Sequence, residues 1–349
     1  MIHAYTIYGG NLGWANHARQ FFSALSKLEP VTVWPHIPTN ENSPPIVLGL
    51  TDQMSDSSKE YGIVLGQIDH LPQAASQLRQ AIRVAFVVWE GTRIARDVLK
   101  ALETMDQIWT PSYWGRKILV ENGIAFEKLH VVPGGVDVEL FSPQKIADKS
   151  CYRFLSVGKW EERKNTDGLV RAFATEFEPD EPVELVLHCT NQLHTFDQRM
   201  RIERLTRGRH APIILSKEVP YHQMSSVYNR CDAFVLPTRA EGWGLPIMEA
   251  MACSLPVIVT QYSAPLDYLT PESSYLLSVR DMPTIDDPLY YPLNSGVWAE
   301  PCLSDLKRLM RHVFEHRDEA RHKGSEARRT VVSGWTWRDA AIKASSLLS

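Results

Sequence analysis

The stretch that decides the fold is AFVLPTRAEGWGLPIMEAMACSLPVIVT, residues 233–260. It begins with a short apolar run that stops at Pro237, as a buried strand does where it leaves a sheet. A turn with two glycines follows, and a helical pattern then continues from Pro246 to Cys253. Pro256 precedes a second β-branched run. The order strand, turn, helix, strand is typical of a parallel α/β sheet.

The turn in this stretch has the features of a phosphate site. Gly242 and Gly244 permit close approach of the backbone, and the helix that follows presents N–H groups and the positive end of its dipole. Glu249, in the first part of that helix, can accept hydrogen bonds from ribose hydroxyls, and Glu241 can accept them from a sugar. The alternative is a capped helix whose two glutamates are exposed to solvent.

Outside this stretch, short apolar runs alternate with helical segments through both halves of the chain. We predict two Rossmann-like α/β domains, residues 1–145 and 146–335, which face a central cleft. The polar segment around Pro143 is the linker between them. The predicted strands of the first half include Val84–Trp89, Gln107–Thr110 and Leu129–Val132, and those of the second include Phe154–Val157, Leu185–His188, Ala233–Leu236 and Val257–Thr260.

Composition excludes several classes of protein. A chain of 349 residues with 44% hydrophobic and 22% charged residues suits two globular domains, and its net charge of −4 provides no general attraction for nucleic acid. The beginning of the chain has no signal-peptide pattern, and no apolar run is long enough to span a membrane. The five cysteines form no CxxC pair, so we expect reduced thiols in a cytoplasmic protein.

Metal ligands are sparse in this sequence. His312 and His316 have the spacing that places two side chains on one helix face, but no third ligand lies nearby in the sequence. Neither Asp137-Val-Glu139 nor Asp286-Asp287 forms a convincing Asp-x-Asp motif. We expect no metal site and no cofactor.

Several separated motifs share one resemblance. Glu241 and Glu249 form an E-x7-E pattern, and further motifs occur in the same order along the chain: WTPS at 109–112, VPGGVD at 132–137, VGKWEERKN at 157–165 and WAEP at 298–301. Together they resemble the retaining GT-B glycosyltransferases of family 4, over nearly the whole chain. The resemblance implies the GT-B fold and a nucleotide-sugar donor held by the second domain. It also implies that the last helix, within residues 336–349, packs back on the first domain.

The resemblance assigns roles to residues of the second domain. Lys159 and Lys164 match the cations that stabilise the leaving diphosphate, although the first position is more often arginine in the family. Glu241 matches the acid that contacts the donor sugar. The implied donor-binding residues are Gly158, Val219, Gly242, Trp243, Gly244, Leu245 and Glu249. From the residues alone, the segment 161–164 can equally well be interpreted as a solvated charged turn.

The first domain departs from the family pattern. Gly9 and Gly10 match its first glycine-rich loop, which faces the donor phosphates, and Asn16 and Arg19 follow on a helix that can reach the acceptor. Many members have a histidine near residue 89, whereas this chain has Trp89-Glu90. Glu90 is therefore a candidate for binding the acceptor hydroxyl or acting as its base, with Trp89 and Arg93 beside it. A buried Glu90 paired with Arg93 is an equally good interpretation.

The implied function is retaining, metal-independent transfer of a hexosyl residue to a saccharide or glycoconjugate, with peripheral membrane contact allowed. Mannose or a deoxyhexose, in bacterial polysaccharide assembly, fits the resemblance. Two alternatives remain open: a GT-B nucleotide-sugar epimerase, and a non-catalytic nucleotide-sugar-binding subunit of a glycosyltransferase complex.

Overall fold

The computed structural model describes residues 1–6, 13–34, 46–48, 60–66, 71–144, 150–190, 196–207, 212–285 and 294–348. Its contacts divide the chain into two units. The N-terminal unit comprises Met1–Asp137, Ile285–Val297 and Gly334–Ser349, and the C-terminal unit comprises Val138–Thr284 and Trp298–Ser333.

The N-terminal unit is built on a sheet whose seven described strands have the order β3-β2-β1-β4-β5-β7-β8. All neighbours pair in parallel except β2 and β3. The central strands are apolar because helices cover them, and β4 is buried at every position. The strands of this unit are β1 Ile2–Thr6, β2 Val31–Trp34, β3 Ile46–Leu48, β4 Tyr61–Leu65, β5 Ile82–Phe86, β6 Arg93–Ile94, β7 Gln107–Thr110, β8 Leu129–Val131 and β16 Asn294–Ser295.

The last helix of the chain belongs to this unit and packs on its first helix. Thr336 and Asp339 form a capping box at the start of the last helix, which fixes where it begins. Near the chain's end, the Tyr61 hydroxyl donates to the Leu348 carbonyl at 2.7 Å and ties the helix to the sheet. The helices are α1 Gly13–Leu25, α2 Leu71–Gln77, α3 Arg96–Glu103, α4 Tyr113–Glu121 and α11 Trp337–Ser345.

The C-terminal unit has a second parallel sheet, with the described strand order β11-β10-β9-β12-β13-β14. Its strands are β9 Tyr152–Lys159, β10 Val183–Thr190, β11 Ile213–Leu215, β12 Ala233–Leu236, β13 Val257–Thr260 and β14 Tyr275–Leu277, with the short pair β15 Val279–Asp281 and β17 Glu300–Pro301. Its helices are α5 Thr166–Glu176, α6 Gln198–Thr206, α7 Met224–Asn229, α8 Leu245–Ala252, α9 Leu303–Glu315 and α10 Arg317–Gly334. Both units thus have the predicted Rossmann-like α/β architecture.

Some local predictions were wrong. The strand predicted over Val84–Trp89 ends at Phe86, so Trp89 and Glu90 lie in the irregular segment that follows it. The contacts also do not divide the chain into the continuous ranges 1–145 and 146–335. Strand β16, at Asn294–Ser295, pairs with β6 and so places residues of the second range in the N-terminal unit.

Candidate active site

Two loops of the C-terminal unit bring most of the predicted donor-site residues together. One follows β9 and leads to α5, and the other follows β12 and leads to α8. Strands β9 and β12 are parallel neighbours, with Ala233 opposite Phe154. Because neighbouring parallel strands end at the same edge of a sheet, the two loops meet there.

Glu241 lies at the meeting point, and its side chain is buried. Its Oε1 atom accepts from Lys164 Nζ at 2.6 Å and from Thr238 Oγ1 at 2.8 Å, and lies 3.1 Å from Arg163 Nη1. Burial by itself would raise the pKa of Glu241, but the charges of Lys164 and Arg163 and these hydrogen bonds outweigh burial and lower it. Glu241 is therefore a carboxylate that is ionised at neutral pH and paired with two cations.

Arg163 extends this cluster beyond the predicted residues. Its Nη1 donates to the Ala240 carbonyl at 2.7 Å, and its Nη2 donates to Glu161 Oε1 at 2.8 Å. Glu161, Arg163 and Lys164 are all buried, and Glu162 is exposed. The interpretation of residues 161–164 as a solvated charged turn is therefore wrong for three of its four members, because the 238–241 loop covers them.

The glycine turn before α8 requires its glycine. Gly244 caps the helix with φ +93°, a conformation that L side chains rarely adopt. A Cβ atom at this position would lie 2.8 Å from Ile247 Cδ1 and 2.9 Å from Tyr268 Oη. The Tyr268 hydroxyl donates to the Trp243 carbonyl at 2.8 Å, and the two rings pack edge to face. The Trp243 side chain is thus buried against Tyr268.

Glu249 lies in α8 in different surroundings. It is buried, and it accepts from Tyr228 Oη at 2.6 Å and from Tyr221 Oη at 3.3 Å. Burial raises the pKa of Glu249 to about 7, and the hydrogen bonds from Tyr228 and Tyr221 offset only part of this. The alternative in which both glutamates of the E-x7-E pattern are solvent-exposed is therefore wrong.

The remaining donor-site predictions lie around this core. Lys159 is the last residue of β9 and is half-buried, and Gly158 packs beside the Lys164 side chain, with 3.4 Å between an added Cβ and Lys164 Cε. Val219 is half-buried and lies two residues before Tyr221, in the segment after β11. Gly242 is buried, and Leu245 is the first residue of α8.

The acceptor-side predictions concern the N-terminal unit. Arg19 donates to Asn16 along α1. Glu90 is half-buried and Arg93 is exposed. Trp89 is 1% exposed within the core, so its ring has no free face for stacking on a saccharide. Gly9 and Gly10 lie outside the described residues.

Two features are absent from the described residues. They contain no group of three or more His, Cys, Asp or Glu side chains that could hold a metal ion. His312 and His316 stack on each other with ring centroids 4.1 Å apart, and His312 contacts Glu319. Within the same residues, no helix has the length and apolar character needed to cross a membrane.

Comparison with known proteins identifies the domain that carries this site. Residues 137–282 match the family model described as Glycosyl transferases group 1. Over these residues the C-terminal unit is therefore similar to the group 1 glycosyltransferases. The matched range contains Lys159, Lys164, Glu241 and Glu249, so the buried clusters described above lie inside it.

Relatives and solved structures agree with this assignment. The chain is 26% identical over 152 residues to a probable sucrose-phosphate synthase of Thermosipho melanesiensis, covering 41% of this chain and 34% of that protein. It is 27% identical over 150 residues to O-antigen chain mannosyltransferase B of Escherichia coli, covering 42% and 38%. The alignments thus span little more than a third of these relatives.

One solved structure covers the full fold. The sucrose-phosphate synthase of Thermosynechococcus elongatus superposes with a TM-score of 0.73 at 17% identity, covering 99% of this chain and 98% of that one. At this identity the match concerns the fold, and the predicted GT-B fold class is confirmed.

Proposed function

We propose that the protein is a retaining glycosyltransferase that transfers a hexosyl residue from a nucleotide-diphosphate sugar to a saccharide or glycoconjugate acceptor, without a metal ion. The observation that carries this proposal is the buried Lys164–Glu241 pair at 2.6 Å, beside the N-terminal end of α8. A buried charged pair contributes little to stability because both groups lose their hydration, so its presence at a sheet edge supports a role in binding a charged ligand or in a reaction.

The donor diphosphate is the ligand that fits these groups. Lys164 and Lys159 supply two cations at the carboxyl end of β9, and Gly244 and Leu245 place amide groups and the positive dipole end of α8 opposite them. Fixed positive groups at the leaving diphosphate stabilise the charge that develops there in the transition state. They provide the stabilisation that a metal ion supplies in other transferases.

The transfer step follows from this arrangement. The bond between the anomeric carbon and the diphosphate oxygen breaks, and the acceptor oxygen bonds to the same carbon from the same face. The acceptor proton passes to an oxygen of the departing phosphate, so the step needs no histidine at position 89. Glu241 accepts hydrogen bonds from the transferred sugar, and Glu249 accepts them from the ribose.

We propose that the acceptor binds to the N-terminal unit. Glu90 contacts the attacking hydroxyl group of the acceptor. Further polar contacts come from Asn16, Arg19 and Arg93. The name of the Escherichia coli relative supports a mannosyl or related hexosyl residue and an acceptor in surface-polysaccharide assembly. Such an acceptor fits a cytoplasmic enzyme that contacts the membrane peripherally.

A ligand screen followed by turnover tests the proposal. One of GDP, UDP, dTDP and ADP should raise the melting temperature of the purified protein, because a ligand that binds the folded state stabilises it by mass action. The matching nucleotide-hexose should then release nucleoside diphosphate in the presence of EDTA. Binding without turnover would indicate a non-catalytic subunit, and activity that EDTA abolishes and Mg²⁺ restores would contradict metal independence.

A further inference from the structure

The Glu241 carboxylate has two cationic partners. Lys164 and Arg163 both lie against its Oε1 atom, at 2.6 and 3.1 Å. A diphosphate that binds at the end of β9 competes with Glu241 for the Lys164 ammonium group. When the ammonium group turns towards the phosphate oxygens, Glu241 faces added negative charge and loses its shortest contact.

We infer that Arg163 is a positioning residue for the transfer reaction, which holds the Glu241 carboxylate in place and ionised when Lys164 engages the donor diphosphate. This inference rests on the proposed function, because it requires a diphosphate at Lys164. Arg163 acts through Glu241 and touches neither the sugar nor the phosphates.

The guanidinium group is anchored independently of Lys164. Glu161 and the Ala240 carbonyl hold its two terminal nitrogens at 2.8 and 2.7 Å, so Arg163 stays in place when Lys164 moves. A planar fork can bridge Glu161 and Glu241 simultaneously, which a lysine ammonium group cannot do with the same geometry. The Arg163 carbonyl also accepts from the Arg239 N–H at 2.7 Å, which fixes the backbone of the loop.

Arg239 provides a matched control on the same two loops. Its guanidinium group pairs with Glu162 at 2.8 Å and with Glu300 at 2.7 Å. Arg239 therefore joins the loops as Arg163 does, but through carboxylates other than Glu241. If Arg163 matters only for holding the loops together, Arg163→Met and Arg239→Met should have the same consequences.

The other groups around Glu241 do not titrate near neutral pH. Its backbone N–H donates to Ser263 Oγ at 2.9 Å, and Thr238 contributes a hydroxyl. Burial, followed by the charges of Glu241 and Asp267, raises the pKa of Tyr268 well above its ordinary value, so its phenol stays neutral. Arg163 contacts two carboxylates, Glu241 and Glu161, and the variant Glu161→Gln distinguishes them: an acid limb that still depends on Arg163 in that background reports Glu241.

The test measures kcat at saturating nucleotide-hexose from about pH 3.5 to 8 in wild type, Arg163→Met, Arg163→Lys and Arg239→Met, because the pKa of Glu241 is lowered from its ordinary value. Because kcat reports ionisations in the enzyme–substrate complex, the acid limb of Arg163→Met should move up by roughly one pH unit, the scale of losing one adjacent opposite charge. Arg163→Lys keeps the positive charge and loses the fork, so its limb should lie between those of wild type and Arg163→Met.

Circular dichroism of each variant over the same pH range shows where it stays folded, and only that part of the profile is compared, so that acid unfolding is not mistaken for the titration of a carboxyl group. An unmoved kcat limb in an active Arg163→Met enzyme would overturn the inference, as would an equal shift in Arg239→Met. Failure of wild type to release nucleoside diphosphate from any UDP-, GDP-, ADP- or dTDP-hexose would instead remove the proposed function itself.

Discussion

Glu241 and Glu249 are both buried in the same domain, yet their surroundings give them opposite electrostatic states. Glu241 faces Lys164 and Arg163, and its pKa is lowered. Glu249 faces two phenols, and its pKa is raised to about 7. Burial acts in the same direction on both carboxyl groups, so the partners decide the outcome.

The comparison separates two tasks within one donor site. A carboxylate held by cations keeps its charge across the working pH range and can interact with a reacting sugar at any pH within it. A carboxyl group held by neutral phenols changes its charge near neutral pH and can make binding depend on pH. We expect the first to govern turnover and the second to govern donor affinity.

Removal of the charged pair should have the largest effect. Lys164→Ala and Glu241→Ala should each lower kcat by about 100-fold or more, the scale of losing one charge-stabilising contact in a transition state. Steady-state kinetics with the donor found in the ligand screen measures this. Lys117→Ala, which changes an exposed lysine of the N-terminal unit, should leave kcat unchanged. Near-normal turnover in either folded site variant would show that the pair is not part of the reaction.

Acidification should weaken donor binding through Glu249. The ionised carboxylate accepts hydrogen bonds from two ribose hydroxyls, whereas the protonated form has lost acceptor capacity. As pH falls below about 7, Glu249 becomes protonated, and the donor Kd should rise by up to roughly tenfold per pH unit. Calorimetry from pH 5.5 to 8.5 checks this. Glu249→Gln should bind weakly with no such dependence, and a flat wild-type profile would contradict the role of Glu249.

Tyr228→Phe should have a smaller effect of the same kind. Loss of its 2.6 Å hydrogen bond removes a group that stabilises the ionised form, so the pKa of Glu249 should rise further. Donor Kd at pH 7 should increase by roughly threefold to tenfold, the scale of losing one ordinary intramolecular hydrogen bond. Tyr221→Phe loses a 3.3 Å contact and should have less effect. An effect of Tyr221→Phe equal to or larger than that of Tyr228→Phe would reverse the assignment.

Gly244→Ala should have the smallest effect and should act on stability. The positive φ of Gly244 and the contact of an added Cβ with Tyr268 should lower the free energy of unfolding by about 1–3 kcal/mol. Chemical denaturation measures the change. Gly334→Ala is the control, because nothing lies within 4 Å of its added Cβ, and it should be neutral or slightly stabilising. Equal stability of the two variants would show that the turn before α8 tolerates a side chain.

The sequence predicts strands and the loops between them better than the contacts within the site. Apolar runs place β7, β12 and β13 at the observed residues because their periodicity is local. The partners of the two glutamates are not local: Tyr228 lies 21 residues before Glu249, and Arg163 lies 78 residues before Glu241. Only the folded sheet edge brings these residues together. The segment 161–164 therefore has the sequence of a solvated turn, although three of its four charged side chains form a buried network in the fold.

At the end of β5 the sequence pattern predicts too long a strand. Apolar residues continue from Val84 to Trp89, but the strand stops at Phe86 and Trp89 turns into the core. An apolar run predicts burial, and it predicts a strand only as far as neighbouring strands provide pairing.

The contrast between the two carboxyl groups can be measured directly by ¹³C NMR titration of glutamate side chains in labelled protein, with Glu241→Gln and Glu249→Gln identifying the two signals. The signal of Glu249 should titrate near pH 7, and that of Glu241 should remain in its ionised position down to a pH below the ordinary range of a glutamate. Titration of both signals together in the ordinary range would contradict the account.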